Sequence, residues 1–146
     1  MRWELRSFDA LSTRELYGVV RLRQDVFIVE QKCAYADADG ADEQATHLFA
    51  VDGDDVVACA RLFAPGVRRA EAVIGRVVTA ARVRKLGVGR ELMRRAIDAV
   101  EAQHGRAAIW LGAQKYLQRF YESFGFTRDG EDYLEDDIPH LPMRRP

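Results

Sequence analysis

Arg84-Lys85-Leu86-Gly87-Val88-Gly89 is the segment of this 146-residue chain with the most chemical content. It follows a β-branched run and precedes apolar residues at helical spacing, so it reads as a loop that opens a helix. A helix N-terminus carries unpaired amides and partial positive charge. Glycines at 87 and 89 carry no Cβ, which lets a phosphate approach the backbone. Arg84, Lys85 and Arg90 add fixed positive charge. The segment therefore predicts a site for a phosphorylated ligand. Two better-known phosphate loops are excluded by spacing. A dinucleotide fingerprint needs a third glycine where this chain has Leu92, and a P-loop needs G-x-x-x-x-G-K-[ST], which is absent.

Charge is divided along the chain. Asp37, Asp39, Asp42, Glu43, Asp52, Asp54 and Asp55 lie between Cys33 and Cys59 with no Lys or Arg among them. Arg82, Arg84, Lys85, Arg90, Arg94 and Arg95 are opposed only by Glu91. A second acidic run holds Asp129, Glu131, Asp132, Glu135, Asp136 and Asp137. An anion site and a cation site are the expectation, with the acidic runs steering a cationic partner; solvated faces are the plainer reading of either acidic run. Metal binding is not expected. His47, His104 and His140 have no ligand spacing, and Cys33 and Cys59 form no C-x-x-C pair. In Asp37-x-Asp39-Gly40-x-Asp42 the glycine falls at the fourth place, not the sixth that a calcium loop requires.

These residues need a scaffold. Trp3 and Leu5 alternate with charged residues, which predicts a first strand. Ser12-Thr13-Arg14-Glu15 is a capping box, so a helix starts there and runs its apolar face through Leu16, Val19, Val20, Val26 and Phe27, breaking near Gln31-Lys32. A loop follows through Gly40. Residues 47–51 and 56–63 read as strands around the turn Asp52-Gly53-Asp54-Asp55. Ala72 to Thr79 is a β-branched central strand. Leu92, Met93, Ala96, Ile97 and Val100 predict a helix stopped by Gly105. A buried strand over 107–111 follows, then a helix marked by Leu117, Phe120, Tyr121 and Phe124 and closed by Gly125. Short strands are expected near 126–128 and 141–143. Strand, helix and strand over 72–111 make a right-handed crossover between parallel neighbours. The expected architecture is an α/β sheet of mixed direction with helices on both faces, in a single domain over 1–146.

Composition agrees with an ordinary soluble globular domain and excludes a disordered or collagen-like chain: 48% hydrophobic, 31% charged, net charge −1. Two cysteines make no disulfide framework, no signal-peptide run opens the chain, and no stretch approaches the roughly 18 apolar residues of a membrane span. A cytoplasmic setting is expected, with no membrane and no nucleic-acid partner, since the charge is near neutral and 82–95 holds no aromatic residue. The oligomeric state is left open, a homodimer included.

Arg84-x-x-Gly87-x-Gly89 resembles the R/Q-x-x-G-x-G/A motif of GNAT acyltransferases, which binds the pyrophosphate of acetyl-CoA. Gly75-Arg76-Val77-Val78-Thr79 is similar to that family's fourth strand, and Tyr121-Glu122-Ser123-Phe124-Gly125-Phe126 to its Y-x-x-x-G-F segment. The likeness spans nearly the whole chain, with Lys85 in place of the usual Gly and Gln114 in place of an Asn. Within the superfamily, 22–31, Cys33-Ala34-Tyr35 with the aspartates before His47, and 133–140 resemble the ElaA-like branch. The resemblance implies a mixed, mostly antiparallel sheet with a splayed parallel strand pair. It implies acetyl-CoA as co-substrate, held by Arg84, Lys85, Leu86, Gly87, Val88, Gly89, Arg90 and Gln114, with backbone amides near Val77 and Val78 on the thioester. Tyr121 would protonate the departing thiolate.

Transfer to an amine has one further demand. An alkylammonium of pKa about 10.4 is less than one part in a thousand neutral at pH 7, so a base helps. Glu30, His47, Glu135 and His140 are the candidates. The expected function is an acetyl-CoA-dependent N-acyltransferase acting on a primary amine of a small molecule or protein. The alternative is a non-catalytic acyl-CoA-binding or regulatory module, which would not need Tyr121.

Overall fold

The computed structural model describes residues 1–146. The elements run β1 (Arg2–Ser7), α1 (Thr13–Arg23), β2 (Thr46–Asp52), β3 (Asp55–Phe63), β4 (Ala72–Thr79), α2 (Val88–His104), β5 (Ile109–Gln114), α3 (Gln118–Glu122), β6 (Thr127–Arg128), β7 (Tyr133–Glu135) and β8 (Ile138–Arg145). One sheet holds them in the order β1-β2-β3-β4-β5-β8-β6, with β7 paired to β8. Every pairing is antiparallel except β4 with β5. No helix is long and apolar enough to cross a membrane.

Period-two alternation divides the core between the two faces. Leu48 and Ala50 of β2 face α2, whose Leu92, Met93, Ala96, Ile97 and Val100 are all buried. Phe49 and Val51 face the other way and pack with Val19, Leu22 and Val26. Each large apolar side chain so buried contributes about 1.5–3 kcal/mol. The capping box forms as its sequence requires: Ser12 Oγ accepts from Glu15 N at 3.0 Å, and Glu15 accepts from Ser12 N at 2.9 Å.

Three elements depart from expectation. The helix that begins at Thr13 does not continue as α-helix; Gln24–Glu30 is a π-helix. Apolar spacing cannot separate the two, because Val26 and Phe27 fit either winding over so few residues. The helix expected around Tyr121 is one 3₁₀ turn and five α-helical residues, ended by Gly125 at φ 92°. The strand expected at 141–143 is eight residues long and pairs with an unexpected β7, across a tight turn in which Asp136 and Asp137 both have positive φ.

Candidate active site

The parallel pair β4–β5 is matched only at Ala72↔Ile109 and Val73↔Trp110. Beyond these residues the strands part. A cavity of about 570 Å³ opens between them, lined by 74–79 on β4 and by Leu111, Gly112 and Gln114 on β5. Its size suits a ligand rather than a few waters.

β4 is irregular where it faces this opening. Arg61 pairs with Gly75 and Cys59 with Val78, so one extra residue of β4 bulges out. The bulge is at Arg76, which adopts φ 51°, a left-handed conformation disfavoured for a residue with a Cβ. Contacts hold it there. Arg76 Nε lies 2.8 Å from Asp37 Oδ1, Nη2 donates to the Asp37 carbonyl at 3.2 Å, and the guanidinium covers the Tyr35 ring at 5.4 Å. The bulge turns the backbone at Val77 and Val78, the residues expected to meet the thioester, beside the cavity.

The glycine turn closes one side. Gly87 is the N-cap of α2 at φ 80°, and no side chain caps the helix. Arg84, Lys85, Gly87, Gly89 and Arg90 line the cavity. Leu86 is exposed and Val88 is buried in the core, so neither side chain joins them. A Cβ on Gly87 would meet no protein atom, and one on Gly89 only Phe120 Cζ at 3.8 Å. Both positions are open toward the cavity side, as a phosphate cradle requires.

Tyr121 is 6% exposed, packed edge-on against Phe120 and Phe126. It lines the cavity, and its hydroxyl makes no hydrogen bond within the protein. Burial pushes its phenol well above the usual range, so it keeps its proton until a stronger base arrives.

A short strap crosses the opening. Glu30 Oε2 meets Arg84 Nη1 at 2.6 Å, Gln31 accepts from Gln114 Nε2 at 3.3 Å, and Cys33 Sγ donates to the Asp136 carbonyl at 3.3 Å. In chain order the strap thus runs from the glycine turn, past the end of β5, to the β7–β8 turn. Glu30 is therefore a partner of the basic turn. Glu135, Asp136 and His140 line the cavity at the other end of the strap.

Two expectations change. His47 does not lie on the cavity: it is 1% exposed, its Nε2 is 2.8 Å from the Asp42 carbonyl, and burial lowers its pKa. An inaccessible ring cannot take a proton from a substrate, so His47 is no base. Asp37, Asp39 and Asp42 of the first acidic run are not a free steering surface either. Arg23 donates to Asp37 and Asp42, and Arg61 to Asp39 and Asp42, all at 2.8–2.9 Å. Hydrogen bonds from Arg61 hold the Asp39 carboxyl well below its usual range. For Asp42 burial works in the opposite direction, and Arg23 and Arg61 outweigh it. The sequence did carry a signal: Arg23 and Arg61 interrupt apolar surfaces, and a buried arginine requires partners.

The acetyltransferase (GNAT) domain family matches residues 11–145. The chain belongs to the GNAT family. Among GNAT relatives, it is 37% identical to the protein ElaA of Escherichia coli over 99% of this chain and 96% of that one. The crystal structure of E. coli ElaA superposes with a TM-score of 0.94 over 99% of both chains. A structure of an acyl-CoA N-acyltransferase from Pseudomonas aeruginosa is 40% identical, covers 100% of both chains and gives a TM-score of 0.96. An aminoglycoside 6'-N-acetyltransferase complexed with coenzyme A shares 19% identity over 97% and 96% of the chains at a TM-score of 0.71, a likeness of GNAT fold alone. The mixed sheet, with its one splayed parallel pair, is the GNAT architecture, and acyl transfer in general is the chemistry that goes with it.

Proposed function

We propose that this protein moves an acetyl group from acetyl-CoA to a primary amine by direct attack on the thioester. One observation carries the reading: a single cavity joins the glycine turn, the bulged strand β4 and a phenol whose hydroxyl is free. Arg84, now held by Glu30 and the Thr79 carbonyl, would exchange Glu30 for the pyrophosphate, assisted by Arg90 and the first amides of α2. The pantetheine arm would lie along β4 where β5 leaves it unpaired, with Gln114 facing it. Amides near Val77 and Val78 would stabilise the carbonyl oxygen as charge develops.

The amine nitrogen attacks the carbonyl carbon, and the C=O π electrons move to oxygen. As the carbonyl re-forms, the C–S bond breaks and the sulfur takes the proton of Tyr121 Oη. The proton shed by the new amide nitrogen returns Tyr121 to a phenol. That the aminoglycoside 6'-N-acetyltransferase of the same fold is complexed with coenzyme A supports CoA as the carrier.

Gly87→Val is a poor probe of the cradle, because φ 80° strains any residue but glycine. Arg84→Ala leaves the glycine turn as it is and removes the guanidinium. CoA affinity by calorimetry should fall roughly tenfold or more, and unchanged affinity would remove Arg84 from the pyrophosphate site. Tyr121→Phe should bind CoA as the parent does and lose roughly 10²–10⁴-fold in single-turnover thiol release on an amine found by screening. Full activity would remove Tyr121 from the reaction. CoA binding without thiol release on any amine would leave a non-catalytic acyl-CoA-binding module.

A further inference from the structure

The acetyl acceptor arrives as an ammonium, and the chemistry above needs it neutral. Of the four candidate bases, His47 is sealed in the interior, and Glu30 stands at the glycine turn, the end of the cavity read above as the pyrophosphate site rather than the thioester end. The remaining two, His140 and Glu135, sit together on the β7–β8 hairpin and both line the cavity.

His140 is held from three sides. Its Nδ1 is 2.7 Å from the Ile138 carbonyl. A carbonyl only accepts, so Nδ1 carries the hydrogen and Nε2 keeps a lone pair. The Tyr133 ring stacks on the imidazole at 5.7 Å and 28°. Tyr133 is itself seated by Gly112 of β5: a Cβ on that glycine would collide with the tyrosine hydroxyl. The imidazole is 91% buried by its surroundings, yet Nε2 lies 3.4 Å from Glu135 Oε2, whose side chain is 56% exposed. A base, a backbone group that fixes its tautomer and a carboxylate facing its free nitrogen are thus in one hairpin.

We propose that His140, oriented by Ile138 and Tyr133 and backed by Glu135, removes the proton from the acceptor ammonium. This rests on the acyl-transfer reading above. The N–H bond of the ammonium breaks and its electron pair stays on nitrogen, ready to attack. The proton binds Nε2 and leaves to solvent past Glu135. The second nitrogen proton, shed after attack, restores Tyr121, so the reaction releases one proton in all.

The test compares two probe amines that differ little in size. Ethylamine is almost wholly protonated at pH 7.5, whereas the fluorines of 2,2,2-trifluoroethylamine leave it mostly neutral. With saturating acetyl-CoA, His140→Gln should lower kcat/KM for ethylamine by roughly 10²-fold or more and for trifluoroethylamine by less than about tenfold. Glu135→Gln, at an exposed position, should show the same bias to a smaller degree, and covers the case in which the buried His140 variant fails to fold. Gly112→Ala, which displaces Tyr133, should show it also. Equal losses on both amines in either hairpin variant, or no loss, overturn the assignment. CoA affinity by calorimetry should match the parent in every hairpin variant. Wild-type protein that binds no CoA, or acylates neither amine, overturns the underlying reading and this assignment with it.

Discussion

Asp37, Asp39 and Asp42 meet three arginines, two of them buried, whereas Glu135, Asp136 and Asp137 stand at the exposed tip of a hairpin beside the cavity. In sequence the two runs look alike: short, acidic and free of lysine. The difference lies in what the fold brings to them. Arg23, Arg61 and Arg76 come from α1, β3 and β4, between 14 and 39 residues away along the chain. They turn the first run into a clamp on the β4 bulge. Of the second run, Asp132 is taken up by Lys115 and Arg128, while Glu135 has only the His140 ring and Asp136 no ion-pair partner. Like composition therefore gives a structural core in one place and an electrostatic field in the other.

The largest expected effect comes from breaking the first region. Arg23→Met leaves Asp37 and Asp42 buried with one cation fewer, a change that typically costs about 3–5 kcal/mol. Urea denaturation should register it. Glu135→Gln should move the same midpoint by an amount equivalent to less than about 0.5 kcal/mol. Similar midpoints for the two variants would erase the distinction.

A smaller effect should mark the second region. The double variant Glu135→Gln, Asp136→Asn should raise the apparent KM for a cationic amine about 3- to 10-fold at low salt. The difference should shrink near 1 M salt, where the Debye length is about 3 Å. Asp39→Asn, whose carboxylate already faces Arg61, should leave the salt dependence as it is. A KM raised at low salt in Asp39→Asn, with the gap from wild type closing near 1 M salt, would restore the first run as a steering surface.

The smallest effect is on the pH dependence of stability. His47 is held neutral by burial, so its folded pKa lies below the unfolded value of about 6.5. Its contribution is complete above that value and is lost as pH falls through the folded one. Asp39 and Asp42 have depressed folded values too, so their stabilisation is complete above about 3.9 and is lost at still lower pH. Melting temperature should decline from about pH 6.5 downward, then steeply below about pH 4. His47→Gln should flatten the upper part only. A melting temperature constant from pH 7 to 4 in the wild type would contradict the buried placement of His47.

How far the sequence could be read follows from the range of the interactions. The glycine turn, the capping box and the strand–helix–strand over 72–111 are local patterns, and the structure has each where its residues place it. The GNAT resemblance rested on the same local runs. Long-range pairing was not legible. Nothing near Asp37 in the chain names Arg76, 39 residues on, as its partner. The β7–β8 hairpin was hidden for a different reason. Its turn is Asp-Asp rather than Asn-Gly, and Pro139 and Pro142 argue against the strand they occupy. The His140–Glu135 pair became visible only once that hairpin was formed. The π-helix was lost because a seven-residue segment holds too few turns to reveal its period.

The parting of β4 from β5 also bears on how the protein behaves when empty. Past Val73, β4 presents a strand edge in the middle of a sheet, with no neighbouring strand on its β5 side. Such an edge is what lets chains add to one another and aggregate. A ligand lying there would complete the sheet as a ninth strand. Amides of 74–79 on that side should then exchange with deuterium quickly in the empty protein and slowly in the filled one. The co-substrate would thus act as a solubility factor as well as a reactant: a preparation starved of it should clump on warming sooner than its melting curve alone foretells.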